Sequence, residues 1–422
     1  QIPRARLMSR ADVLAAFPQV EATGLTGAGV YYDGQMYHPA RLVWEFARTA
    51  RQAGAVLANY CEVTELIRRD GRIVGVGVQD RLGGERFEVQ SRMVANAAGP
   101  FAERLLVRAG LRPGRAIPFS RDMALVIRRQ LVREGALALQ TRYRDPDALL
   151  SRGNRHLFLV PWHGVTLVGV NSAIHRGDPD GLRVTRAEVE GFLAEINQAD
   201  PRMGLTWDDI ALVYAGLLPI EQGELVGDQV SFGKRAHVVD NAQADGVEGL
   251  VTAICNRYTT ARGVAERVVD LVGRKLGRAA TCRTEVTPLY GGAIARIDDH
   301  IREVRSALPP GVGPATAEPL ARNHGSAYPA VLRLAAQCSE LGVPIAGTGV
   351  LRAEVVHAVR EELAVHLTDC VFRRTDLGTA GPPGDAALAE CASLVAAELG
   401  WDEHRTGEEL REVRQRYLVA DG

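Results

Sequence analysis

Two strand-to-helix junctions hold the residue types best suited to chemistry. At the first, Val94-Ala95-Asn96-Ala97-Ala98-Gly99-Pro100, an apolar strand end runs into residues with almost no side-chain bulk. Pro100 presets φ for a helix expected over Phe101 to Ala109. The free N–H groups of that turn face whatever lies beyond the strand end, where a large group can approach the backbone. A tight turn with no ligand has the same composition. At the second junction, Ile254-Cys255-Asn256-Arg257-Tyr258-Thr259-Thr260-Ala261-Arg262, first-turn amides and hydroxyls lie at the positive end of a helix. Such a cradle suits an anion or the electron-rich edge of a reduced ring system, although Thr259 and Thr260 also read as plain N-caps.

The elements that must position these junctions follow from periodicity. Ser9 and Asp12 form a capping box for a short helix ended by Phe17-Pro18. His38-Pro39 starts a second helix, in which Leu42, Val43, Phe46, Ala47 and Ala50 make a stripe expected to face the core. Strands are expected over Ala55 to Tyr60, Glu62 to Ile67, Ile73 to Val78 and Phe87 to Val89, with Asp70-Gly71 as a hairpin turn, before the strand into Asn96. From Ile117 longer strands take over, at Ala124 to Ile127, Leu157 to Val160, Thr166 to Val170 and Ile210 to Ala215, with a capped helix from Thr185 to Gln198. A hairpin at Val230 to Phe232 and Ala236 to Val239, a buried strand Leu250 to Ile254 and a helix Thr259 to Leu276 then resume the first pattern. Beyond Thr287 the chain reads as helical, with a Pro/Gly linker at Leu308 to Pro319.

Composition bounds the function. The 422 residues are 46% hydrophobic and 24% charged, enough for two or three domains with ample cores, and a net charge of −1 gives no bulk attraction to nucleic acid. Six scattered cysteines without a Cys-x-x-Cys indicate neither zinc nor a disulfide framework and fit a reducing cytosol. No apolar run reaches the ~18 residues a membrane span needs.

Several segments, taken in order, resemble the FAD-dependent glycerol-3-phosphate dehydrogenase and oxidase family: Tyr31-Tyr32-Asp33-Gly34-Gln35 with Pro39-Ala40-Arg41, Asn59-Tyr60-Cys61-Glu62-Val63, Asn96 to Pro100, Phe158 to Trp162, Gly177-Asp178-Pro179, Tyr214 to Pro219 and Tyr258 to Arg262. Ala353 to Glu362 resembles the helical C-terminal domain of that family. The resemblance implies an α/β (α+β) FAD-binding, glutathione-reductase-like fold with an inserted antiparallel β substrate domain and a C-terminal all-α domain. The partition it suggests is 1–112 and 229–285 for the FAD-binding domain, 113–228 for the β-rich domain and 286–422 for the helical domain. It places Glu62 and Val63 near the adenine end of FAD, Ala97, Ala98, Gly99 and Pro100 at the pyrophosphate and ribityl chain, and Asn256, Tyr258, Thr259 and Thr260 at the isoalloxazine. The family's reaction moves hydride from C2 of glycerol 3-phosphate to flavin N5 while a base takes the hydroxyl proton. Quinone or oxygen is the implied electron acceptor. A peripheral contact with the inner face of a membrane and a homodimer stay open, and the implied location is otherwise cytoplasmic.

Three departures qualify the resemblance. The family's Gly-x-Gly-x-x-Gly has no counterpart, since Gly347-Thr348-Gly349 is followed by Arg352 and lies in the helical region. The expectation is therefore a chain lacking the N-terminal dinucleotide-binding unit, with a weakened hold on the diphosphate. The family's Gly-Gly-Lys reads Cys255-Asn256-Arg257, and the arginine of its Gly-x-Arg-Pro is Leu218. Loss of that guanidinium removes a bidentate phosphate partner. Arg257 and Arg121 are the candidate substrate clamps, each also readable as a structural arginine. Arg257 and His163 are the catalytic candidates, with His38 and His175 as further bases, and no metal is expected. Trp162 reads as core packing. Two other readings remain: a flavin enzyme acting on another alcohol or amine, and an inactive relative or interaction protein.

Overall fold

A computed structural model of the chain describes residues 3–18, 20–111, 119–145, 153–175, 177–219, 236–255, 257–278 and 280–420. The expected boundaries at 112/113 and 228/229, the expected strand Val230 to Phe232, and Asn256 lie outside the described residues.

Strand β1 (Arg6–Ser9) pairs antiparallel with β2 (Gly27–Val30), and between them the Ser9/Asp12 capping box opens α1 (Arg10–Ala16). Helix α2 (Pro39–Gln52) begins where His38 Nδ1 accepts the Arg41 amide and Pro39 fills the first position. A meander follows: β3 (Cys61–Arg69), β4 (Arg72–Asp80) and β5 (Arg86–Gln90), with Asp70 and Gly71 at φ +48° and +76° in the first turn. Strand β6 (Val94–Asn96) passes through a 3₁₀ turn at Gly99–Phe101 into α3 (Ala102–Arg108).

The second unit holds β7 (Phe119–Ile127), β8 (Leu137–Asp145), β9 (Gly153–Trp162), β10 (Val165–His175), α4 (Arg186–Ala199) and β11 (Ile210–Pro219). Its five strands form one antiparallel sheet in the order β11-β7-β10-β9-β8. Side-chain alternation splits β7 cleanly. Met123, Leu125 and Ile127 pack with Val189, Phe192 and Ile196 of α4, while Val126 joins Leu212, Leu167 and Tyr417 on the opposite face.

The first unit resumes with β12 (His237–Asp240), α5 (Asn241–Asp245), β13 (Leu250–Ile254) and α6 (Tyr258–Lys275). The helical C-terminal part comprises α7 (Ile297–Ala307), α8 (Ala317–His324), α9 (Pro329–Gln337), α10 (Arg352–Glu361), α11 (Leu367–Asp369), α12 (Asp385–Leu399) and α13 (Glu403–Gln415). Among the described residues no helix is long and apolar enough to cross a membrane.

Several sequence expectations need correction. Ala55 to Tyr60 is not a strand: the Ala55 amide closes back on Ala50, and Tyr60 sits at φ +56° in a turn. The expected core stripe of α2 is partly outside, with Val43 and Phe46 exposed, because the helix buries Arg41 and Trp44 instead. Charges turn inward there because the C-terminal helices supply their partners. Strands β1, β2 and β8 were not anticipated; α7 and α8 fall in the stretch read as helical without bounds, and the expected linker ends inside α8.

Candidate functional site

Strands β6 and β13 run parallel, with Val94 opposite Leu250 and Asn96 opposite Thr252, so both junctions leave the same carboxyl edge of one sheet. That edge is where α/β sheets bind ligands. Asn96 is buried and ties its own turn: Nδ2 donates to Ala102 O at 3.0 Å and Oδ1 accepts from the Ala98 amide at 3.3 Å. Gly99 at φ +56° faces open space, where an added Cβ would meet nothing within 4 Å. The second junction caps α6, an 18-residue helix, on the backbone of Arg257 without a side-chain cap. Thr259 and Thr260 therefore lie in the first turn rather than at the N-cap, and Thr260 Oγ1 reaches Arg257 O at 3.3 Å. Tyr258 is 56% exposed, and Arg257, Thr259 and Thr260 are exposed beside it. The open space at Gly99, small residues at Ala97 and Ala98 and the exposed start of a long helix fit a flavin nucleotide lying along this edge.

The opposing wall is the five-stranded sheet. The 3₁₀ turn after β6 packs against β11, and Arg104 of α3 pairs with Asp178 and Asp180 just beyond β10. Register places Ser120 of β7 between Leu218 of β11 and Ile174 of β10, and Asp122 between Gly216 and Ser172. Ser120 Oγ donates to Asp122 Oδ1 at 2.6 Å and Ser172 adds a second hydrogen bond, yet burial holds the Asp122 carboxyl above its ordinary value. The other half of this face is covered by the helical part, where Tyr214 Oη donates to Thr379 O at 2.6 Å.

A second polar centre lies at the seam between α2 and the C-terminal helices. Arg41 is 3% exposed and holds Glu362 with both terminal nitrogens, at 2.5 and 2.7 Å; Arg48 reaches the same carboxylate at 2.7 Å and His357 at 3.3 Å. Burial pushes the Glu362 carboxyl up, but Arg41 and His357 outweigh it and hold it well below the usual range. His324 Nδ1 faces an Arg41 nitrogen at 3.2 Å and so must accept, which leaves Nε2–H for Glu354 at 3.0 Å. Burial and Arg41 keep that imidazole neutral. His324, His357 and Glu362 are spaced as metal ligands, but the Arg41 guanidinium already occupies His324 Nδ1 and both Glu362 oxygens.

Glu45, one turn along α2, lies 2.8 Å from Arg41 Nε, whose hydrogen goes instead to Asn323 O. Neither Glu45 oxygen accepts a hydrogen bond, and burial lifts the carboxyl to about 7. A cavity of about 320 Å³ opens at this seam, lined by Arg41, Glu45, Tyr290 and Asn323 but by no junction residue.

The sequence-derived candidates divide between these places. Ala97, Ala98, Gly99, Pro100, Arg257, Tyr258, Thr259 and Thr260 share the carboxyl edge. Glu62 and Val63 start β3, at the far end of the hairpin from the Asp70-Gly71 turn, with Glu62 paired to Arg81. Arg121 faces α4, where it holds Glu188 and Arg183 O, so it is structural here and turned away from Leu218. His163 is in the β9–β10 turn, its Nε2 2.8 Å from Tyr37 O, which Trp162 Nε1 also contacts. The length of β10, on the order of 30 Å at about 3.3 Å per residue, separates that turn from the Leu218 row. His38 is buried against Thr375 O, with burial lowering its pKa, and His175 reaches Asp178 O. Asp122 and the Arg41–Glu362 centre escaped sequence reasoning. The signals present were a carboxylate amid β-alternation in the first case and a charged residue inside each of two quoted segments in the second.

Comparison with known proteins follows this division. Residues 1–271 match the family model for FAD dependent oxidoreductase, and residues 282–406 match that for the C-terminal domain of alpha-glycerophosphate oxidase. The chain is 27% identical to a glycerol-3-phosphate dehydrogenase of Synechocystis sp., across 98% of this chain and 75% of that one. It is 31% identical to the glycerol-3-phosphate dehydrogenase of Mycobacterium leprae, across 95% of this chain but 66% of that one, so it spans about two thirds of that relative. Its fold overlays the structure of glycerol-3-phosphate dehydrogenase from Bacillus halodurans complexed with FAD, with a TM-score of 0.78 at 23% identity, covering 99% of this chain and 82% of that chain.

Proposed function

The chain belongs to the FAD dependent oxidoreductase family, and from that premise we propose that it oxidises sn-glycerol 3-phosphate to dihydroxyacetone phosphate with FAD as its redox group. The observation that carries this reading is the side-by-side exit of both junctions from one carboxyl edge, on the side of the antiparallel sheet that the 3₁₀ turn after β6 packs against. In this reading the flavin-binding layer is glutathione-reductase-like, with boundaries near those expected from sequence. Ala97 to Pro100 and Tyr258 to Thr260 hold FAD, with Asn256 and the Glu62–Val63 pair assigned to its two ends. When bound, FAD accepts the hydride, and quinone or oxygen takes the electrons onward.

The remaining work falls to this chain's side chains. The start of α6 offers unpaired amides and a positive dipole end to negative charge, and Arg257, exposed at that point, is the phosphate clamp. Asp122 and Ser172, with the buried Ser120 donating to Asp122 from behind, present a hydrogen-bonded polar patch to the substrate hydroxyls. A second reading, oxidation of a non-phosphorylated alcohol or amine, draws on Leu218, which leaves an apolar side chain in the row beside that patch.

The experiment is anaerobic addition of glycerol 3-phosphate to the protein reconstituted with FAD, following the flavin absorbance near ~450 nm, since the cofactor carries the hydride chemistry. Bleaching, with KM raised by Arg257→Met, is the expected outcome. Bound flavin that other alcohols or amines bleach, and glycerol 3-phosphate does not, would overturn the substrate assignment.

A further inference from the structure

We propose that Asp122 is the group that takes the hydroxyl proton of the substrate, an assignment that rests on the flavin-oxidoreductase reading above. Its position on the sheet is the first argument. Asp122 shares a row with Gly216, whose missing side chain leaves open space over the strand, so a small molecule can reach the carboxylate from the cleft side. Ser120 from its own strand and Ser172 from β10 fix the carboxylate, and Leu218 lies in the adjacent row. A carboxylate held by two hydroxyls and half-buried between strands is oriented before substrate arrives, which a proton acceptor needs.

The second argument comes from the other titratable groups. His163, His38 and His175 each direct Nε2 to a backbone oxygen, of Tyr37, Thr375 and Asp178 respectively. Tyr214 on β11 donates to Thr379 O, and burial pushes its hydroxyl up to about 12. Arg121 and Glu188 neutralise each other on the α4 face. Among the described residues, His156, two residues before Phe158 on β9, shares the cleft face by strand alternation, and His237 on β12 pairs with Ile254 at the carboxyl edge; His156 is the base on this sheet for the test to separate. Burial also holds Asp122 above an ordinary aspartate, nearer to the range useful for accepting a proton.

The step balances without another reagent. The substrate O–H bond breaks with its proton passing to an Asp122 oxygen; the hydrogen of the neighbouring C–H bond leaves with that bond's electron pair, as hydride, to the flavin; the electron pair left on oxygen closes the carbonyl. The acquired proton returns to solvent through the open side of the cleft.

The test uses the FAD-reconstituted full chain with Asp122→Asn, Asp122→Glu and His156→Asn. Asp122→Asn should keep its melting temperature and hold KM within about threefold, while kcat falls by about 10²- to 10⁴-fold, the usual loss for a positioned base. The acid limb of the kcat/KM profile should vanish with it, and Asp122→Glu should restore part of the rate. Difference infrared spectra of the flavin-free protein supply an independent readout: a protonated-carboxyl band that titrates with the midpoint of the acid limb and is missing in Asp122→Asn. Turnover of Asp122→Asn within threefold of the parent, or an acid limb that survives in it and disappears in His156→Asn, overturns the assignment while leaving the oxidoreductase reading intact. A parent enzyme that binds FAD but is not bleached by glycerol 3-phosphate would sink the substrate reading and this assignment together.

Discussion

Replacing Glu362 by Gln removes one negative charge from the seam and little else, because the two side chains have almost the same shape. The Glu362 side chain is fully buried, that of Arg41 is 4% exposed and that of Arg48 is 13% exposed, so the lost charge is poorly replaced by solvent. Arg41 would keep Asn323 O and Arg374 O as acceptors but would face an amide where it now holds a carboxylate through two nitrogens. Removing one member of a buried pair costs about 3–5 kcal/mol, because the partner is left charged and dry. At roughly 2–4 °C per kcal/mol for a unit of this size, the melting temperature should fall on the order of 10 °C. The sign with pH follows from the folded carboxyl lying well below its ordinary 4.5. The contribution is complete above that ordinary value and is lost as pH falls toward the folded one. Scanning calorimetry near neutral pH, at low and high salt, is the assay, with Glu398→Gln as reference. Glu398 also holds an arginine by two contacts, but Arg360 is half exposed, so that pair should be worth under about 1 kcal/mol and should weaken with salt. A Glu362→Gln transition within about 2 °C of the parent, or no lower than that of Glu398→Gln, would refute the claim that this pair clamps α2 to the C-terminal helices. The double variant Arg41→Met/Glu362→Gln should lose less than the sum of the single changes, since the stranded charge is gone.

Two other outcomes follow from particular side chains. Burial lifts Glu45 from 4.5 to about 7, so between those values the folded chain holds a proton that the unfolded chain releases, and stability declines as pH rises through that window. Glu45→Gln should flatten that decline in thermal melts, matching the parent at pH 5 and exceeding it at pH 8 by up to ~3 kcal/mol; equal slopes would refute it. Leu218→Arg places a guanidinium in the row beside Asp122 and should lower KM for glycerol 3-phosphate by about 10- to 100-fold, the worth of a charge-assisted contact to phosphate. An unchanged KM in steady-state assays would show that Leu218 does not border the phosphate.

Much of the fold could be read from local signals, because those signals are written in neighbouring residues. The Ser9/Asp12 and Thr185/Glu188 capping boxes, Pro39 at the start of α2, the Asp70-Gly71 turn and the apolar run Leu250 to Ile254 each settle an element within a few positions. Both junctions were legible for the same reason. What could not be seen was that β6 and β13, more than a hundred residues apart, are parallel neighbours, and that this adjacency turns two separate turns into one edge.

The seam shows where local reading stops. Arg41 and Glu362 lie 321 positions apart, and each sits in a segment that reads well as an amphipathic helix whose charges should face water. Period alone assigned Val43 and Phe46 to the core of α2 and left Arg41 outside; the folded chain does the reverse. A buried guanidinium is tolerable only when the carboxylate that pays for its desolvation comes from elsewhere, so no window around Arg41 contains the answer. The same seam takes up another segment that family resemblance had marked: Asn59 Nδ2 donates to Leu363 O at 2.7 Å and Tyr60 Oη to Asp369 Oδ1 at 2.8 Å; Tyr37, between two marked segments, donates its Oη to Asp376 Oδ2 at 2.8 Å. Family-typical residues in this chain thus do two kinds of work. Those at Ala97 to Pro100 and Tyr258 to Thr260 line the carboxyl edge that the proposed reading gives to FAD, and those at Arg41, Asn59, Tyr60 and Glu362 fix the helical part against the first unit. Asp122 belongs to neither set, and only the register of β7 between β10 and β11 makes it visible as chemistry.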